Sequence, residues 1–165
     1  MERRREMHGK PLLIDSNLLA KAAKAAADSP RRRKNLNFHT PEHESANRLL
    51  NAVEPGSYVQ PHRHLDADKD ETLVVIRGSF GLVFFDEAGN VTQTALAKAA
   101  GDVVGVNIPH GTYHSLVALE PSSVFFEAKA GPYVAITDAE RAPWAPREGE
   151  PQVAAYLRKL EALFA

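Results

Sequence analysis

The sequence predicts an all-β domain, a sandwich or barrel of about seven or eight short strands with a short helix at each end. Three observations lead there. From Leu36 onward the chain is a succession of runs rich in Val, Phe, Ile and Tyr, each roughly four to eight residues long. Each run is bounded by Gly, Pro, Asn or Asp, as in "EPG", "RGS", "DEAGN", "AAGD", "PHGT" and "EPSS". Only the two ends of the chain show helical spacing, so the strands follow one another as in an antiparallel protein, without the alternating helices of a βαβ fold.

In chain order, Asp15 or Ser16 can cap a helix through the alanine- and lysine-rich segment to about Ala27, where Asp28-Ser29-Pro30 stops it. Strand candidates follow: "NRLLNAV", "SYVQPH", "ETLVVIRGSFGLVFF", "VTQTALA", "DVVGVNI", "YHSLVAL" and "SVFFEAKA". "DEAGN" reads as a hairpin loop. After Gly131 the chain becomes Pro-rich and carries its single tryptophan, Trp144. "QVAAYLRKLEALF" then restores helical spacing, with Val153, Tyr156, Leu157, Leu160 and Phe164 on one stripe. The expected organisation is one domain: a tail and helix over 1–34, the barrel over 35–131, and an arm with the final helix over 132–165.

With 165 residues the chain can bury a core without disulfides, and it has no cysteine. Thiolate metal sites and cysteine nucleophiles are therefore excluded, and any metal must be held by nitrogen and oxygen. Lys+Arg number 20 against 21 Asp+Glu, a net charge of -1 that gives no global case for nucleic acid. The local run "RRRK" at 31–34 reads as a solvated face or an anion contact. The charged start is unlike a signal peptide, and no run approaches the roughly 20 apolar residues of a membrane span, so a soluble cytoplasmic protein is expected.

The chemistry concentrates in "PHRHLDADKDE", Pro61 to Glu71. On an extended strand His62 and His64 share one face while Arg63 takes the other. Gly56 precedes this pair, Glu71 and Gly78 follow it, and "PHGTYH" adds Pro109, Gly111 and His114. These two segments resemble the paired motifs of the cupin superfamily: a glycine, an H-x-H pair, a glutamate and a glycine, then P-x-G-x-x-H. The resemblance implies a small cupin (double-stranded β-helix or jelly-roll) barrel in which His62, His64, Glu71 and His114 converge on one metal. Fe(II), Mn(II), Ni(II), Co(II) and Zn(II) all suit that set. The interval from His64 to Glu71 exceeds the commonest cupin spacing, the loop before Pro109 is also longer, and Ala118 stands where an asparagine is frequent. Asp66, Asp68 and Asp70 are alternative oxygen ligands in the longer interval. Beyond the motifs, "SPRRRKNLNFH", "NRLLNAVEPGSYVQPHRH", "RGSF", "FFEAKAGPY" and "APWAP" resemble the WbuC-type cupin fold metalloproteins, found in bacterial gene neighbourhoods for surface-polysaccharide synthesis. That likeness spans about Ser29 to Pro146 and implies a carbohydrate context without a reaction.

Around the metal, Arg48, Asn37, His39 and Asn47 fall on strands ahead of the first motif. Arg48 and Asn37 are candidates for holding an anionic or hydroxylated ligand. Glu127, among aromatics, is the candidate general base, with an ion pair to Arg48 or Lys129 as its alternative role. Tyr133 is placed to cover the barrel mouth, Tyr113 to face away from His114, and His110 to sit exposed in a turn; His8 and His43 have no motif partners. Three functions fit: a metal-dependent isomerase or lyase on a sugar or sugar-derived acid, a non-haem iron oxygenase, or a non-catalytic binding or regulatory module. Exposed barrel strands also predict a homodimer.

Overall fold

The structure, a computed structural model, describes residues 11–39 and 44–165. His8 and His43 lie outside the described residues. Asp15, rather than Ser16, caps the first helix: its carboxylate accepts from the Leu18 N–H at 2.9 Å. Helix α1 spans Ser16–Ala27 and buries Ala22, Ala23 and Ala26, whose small side chains let it lie close against a sheet.

Eight strands follow: β1 (Arg33–Asn37), β2 (Ala46–Val53), β3 (Glu71–Arg77), β4 (Ser79–Phe85), β5 (Val91–Lys98), β6 (Gly105–Ile108), β7 (Tyr113–Ala118) and β8 (Ser123–Ala130). Every named pairing is antiparallel. One sheet has the order β1-β2-β8-β3-β6 and the other β5-β4-β7, and the two face each other across a shared core as a small β barrel. Helix α2 (Val153–Glu161) and a 3-10 turn (Ala162–Phe164) close the chain. No helix among the described residues is long and apolar enough to cross a membrane.

The long run "ETLVVIRGSFGLVFF" is two strands in two sheets. Gly78 takes φ +72°, and a Cβ there would collide with Ser123, so glycine alone permits the sharp turn. Between the sheets, Leu73, Val75, Phe80, Leu82 and Phe125 form one end of the core, with Phe80 and Phe125 packed edge to face at 5.2 Å. Leu50, Ala52 and Val124 on the outside of the larger sheet pack under α1. Val83, Phe85, Tyr113 and Val117 on the outside of the smaller sheet pack under the C-terminal arm and α2 through Ala142, Ala145, Leu157 and Leu160. Covered on both faces, β4 is buried along its whole length, which explains its unbroken apolar sequence.

Two strand expectations are corrected. "SYVQPH" forms no ladder and pairs only through single bridges at His62; "DVVGVNI" contracts to Gly105–Ile108. The first strand also begins earlier than expected, inside the basic run, at Arg33.

Candidate metal centre

His62 and His114 exchange backbone hydrogen bonds, with His62 N–H donating to His114 C=O at 3.1 Å and the reverse bond at 2.9 Å. Directly opposed residues in an antiparallel bridge share a face, so the rings come together at 4.6 Å between centroids. His64, two residues on, returns to the same side, its ring 5.5 Å from that of His62 and 6.2 Å from that of His114. Arg63, between them, points away and lies over the Tyr113 ring at 4.3 Å while pairing with Glu87 at 2.6 Å.

Glu71 opens β3 opposite Lys129 of β8, and Leu73 sits opposite Glu127. Alternation therefore sends Glu71, Glu127 and Lys129 to one face, toward the histidines. Glu71 Oε2 lies 2.9 Å from His64 Nε2 and 3.9 Å from His114 Nε2. Lys129 Nζ is 2.7 Å from Glu127 Oε1 and 3.8 Å from Glu71 Oε2. Asn51 of β2 donates to Glu127 Oε2 at 2.7 Å.

The donor set fits a divalent transition metal. Ligand atoms of His62, His64 and His114 lie within 4.8 Å of one another. His62 Nδ1 is taken by the Gln60 carbonyl and His114 Nδ1 by the Thr112 carbonyl, both at 2.9 Å, which leaves each Nε2 as the outward lone pair. His114 Nε2 is buried without a hydrogen-bond partner, a costly state unless something electrophilic meets it. Burial, reinforced by the neighbouring His114, holds the His62 imidazole down at about 3, and burial also lowers His114; both are neutral, the form that ligates. Burial alone would raise the Glu71 carboxyl, but the His64 hydrogen bond and the Lys129 charge outweigh it and keep it ionised. Burial and the Glu71 charge raise Glu127 against the pull of Lys129. Burial alone would lower Lys129, yet Glu127 and Glu71 keep it charged.

These residues line a cavity of about 820 Å³. The histidines, Glu71 and Glu127 are at its buried end, and Tyr133, 57% exposed, lines its open end. Asp70 turns outward to His110 at 2.9 Å, and Asp66 and Asp68 lie exposed in the same loop, so Glu71 is the carboxylate next to the imidazoles.

Two expected ligand contacts are corrected. Arg48 has the parity of Leu50 and Ala52, not of Leu49 and Asn51, so it faces out and pairs with Glu44 at 2.7 Å. Asn37 is opposite Leu49 but sits exposed at the end of β1, outside the lining; Asn35, one alternation earlier, lines the cavity. His39 is bound to the Arg48 backbone, and neither it nor the buried Asn47 lines the cavity. The sequence reading missed Asn51 as a site residue and gave Lys129 only as an alternative partner of Glu127. Counting alternate residues from Leu49 and Glu127 would have found both.

Residues 14–97, just over half of the chain, match the family described as a domain of unknown function (DUF6016). The chain belongs to that family. The DUF6016 match takes in His62, His64 and Glu71 and stops before His114, Glu127 and Lys129. No curated protein matches. Among solved structures, the conserved protein of unknown function SPY1581 from Streptococcus pyogenes is similar at 11% identity, covering 77% of this chain and 91% of that one, TM-score 0.50. KdgF from Halomonas sp. matches at 23% identity over 65% of this chain and 85% of its own, TM-score 0.49. A cupin-2 domain containing protein from Shewanella frigidimarina matches at 23% over 59% and 80%, TM-score 0.44. Likeness at such identities is one of fold.

Proposed function

We propose that this DUF6016 protein holds one divalent transition-metal ion on His62, His64, Glu71 and His114 and acts there on a sugar or sugar-derived acid by proton transfer, as an isomerase or lyase does. The observation that carries the reading is the convergence of three imidazoles, two of them buried and one with an unpartnered Nε2, beside an ionised carboxylate at the closed end of a cavity. A bound ion would supply Lewis-acid polarisation of a ligand oxygen. The chain's own groups divide the remaining work. Lys129, partly buried and charged, supplies the anchor for an anionic group that the sequence reading sought at Arg48. Glu127, held on both oxygens by Asn51 and Lys129 and raised by burial, is placed to take and return a proton.

The proton-handling pair beside the imidazoles favours this reading over an iron oxygenase, whose chemistry does not require it. The WbuC-type resemblance adds the surface-polysaccharide context, and we place the protein in the cytoplasm as a homodimer. The test is elemental analysis of purified protein: about one transition-metal ion per chain is expected, falling sharply in His62→Ala and His64→Ala. Full occupancy in both variants would sink the assignment. With metal in place, Glu127→Gln separates an enzyme from a binding module, because it keeps shape and ligand binding but removes the base.

A further inference from the structure

The basic run that opens β1 ends at the mouth of the same cavity, and a carboxylate of the chain already sits on it. Glu148, from the C-terminal arm, accepts from Arg31 Nε on Oε1 at 2.7 Å and from Arg31 NH2 on Oε2 at 2.7 Å, and Oε2 also meets Arg33 NH2 at 3.0 Å. Arg33 does not depend on Glu148 for its position: its NH1 donates to the Tyr58 carbonyl at 2.6 Å and to Ser57 Oγ at 3.3 Å, and its side chain is only 17% exposed. Arg31, Arg33 and Glu148 line the cavity together with the three histidines.

The arm does not depend on Glu148 either. Trp144 packs on Phe85 at 4.8 Å and on Tyr113 at 5.7 Å, and the Tyr58 hydroxyl donates to the Pro146 carbonyl at 2.7 Å. An exposed ion pair adds little to such anchoring. Six Lys and Arg side chains line the cavity against three Glu, so removal of Glu148 from the clamp would leave a larger cation surplus at the mouth. The two guanidiniums offer three convergent N–H donors, the fork geometry suited to carboxylate and phosphate.

From this we infer that Arg31 and Arg33 form an anion subsite for an acidic group of the ligand, a phosphate or a carboxylate, with Glu148 as the internal anion that the ligand displaces. The cavity then takes an elongated acidic molecule: one end meets the imidazoles and Lys129, and an acidic group at the other end meets the arginine pair. The inference rests on the cavity being the ligand site, as proposed above, and not on the identity of the metal.

The test uses full-length protein of measured metal content and two probes, inorganic phosphate and acetate, titrated calorimetrically at constant ionic strength. Glu148→Gln is expected to bind at least one probe tenfold or more tightly than the unaltered protein, with the gain lost in the double variant Arg31→Gln/Glu148→Gln. A larger gain for phosphate assigns a phosphate ester, and a larger or equal gain for acetate assigns a carboxylate. No gain in Glu148→Gln, or a gain that survives loss of Arg31, overturns the inference; Glu148→Ser repeats the measurement should the glutamine variant fold poorly. Metal analysis of the same samples keeps the two proposals apart. Normal metal with no gain removes the subsite alone, whereas a gain in protein that never holds metal removes the metal reading alone.

Discussion

At the scale of single residues, the centre is defined by which nitrogen each ring presents. Two backbone carbonyls, of Gln60 and Thr112, fix His62 and His114 by their Nδ1 atoms, so orientation is set by the chain before any cation arrives. His114→Ala is expected to weaken metal affinity by at least roughly 100-fold, since losing even an outer partner of a ligand costs about 10- to 100-fold. A competition titration against a chelator checks it, and near-native affinity would contradict the assignment. The same logic separates two cations. Lys129→Met should weaken binding of a hexuronate probe by roughly tenfold or more, the order of one charge-assisted contact, while Arg48→Ala, which removes an outward pair with Glu44, should leave it unchanged. Calorimetry with both variants decides, and the reverse ranking would return the anchor to Arg48.

At the scale of elements, local rules and long-range pairing had different reach. The Asp15 cap belongs to local chemistry, and Asp15→Ala is expected to cost about 1 kcal/mol of stability in urea unfolding, the usual worth of a side-chain N-cap; a loss below roughly 0.3 kcal/mol would show that tertiary packing alone holds α1. The end of α1, the "DEAGN" hairpin and the stripe of α2 were legible for the same reason, because each depends on neighbours in sequence. The meeting of His62, His64 and His114, with Glu71 beside them, was foreshadowed by a motif, since the four stand at recognisable intervals. What failed depended on partners far away in the chain. Whether Arg48 faces in or out follows from the register of β2 with β8, and "SYVQPH" looks like a strand but finds a partner only at His62. The break at Gly78 was marked by the glycine, yet its consequence, two halves in two sheets, follows from the close approach of Ser123.

At the scale of the whole molecule, the two sheets are protected unevenly. Helix α1 covers the outside of one and the arm with α2 the outside of the other, while β5 ends the smaller sheet as an edge strand exposed along most of its length. Leu96 on β5 is 55% exposed, and Val103 and Val104, in the segment bonded to Lys98 and Val75, are 41% and 44% exposed. An open edge with adjoining apolar side chains invites pairing unless charge or a covering segment blocks it. A second copy satisfies both needs at once, because a two-fold operation brings the same edge and the same apolar patch face to face. Light scattering at micromolar concentration should therefore give twice the chain mass, and Leu96→Glu should shift it toward one chain by burying like charges across the two-fold axis. Since this edge contributes no histidine, Glu127 or Lys129, the monomeric variant should keep its metal. A dimer that survives Leu96→Glu would move the interface elsewhere, and a single-chain mass for the unaltered protein would end the dimer proposal.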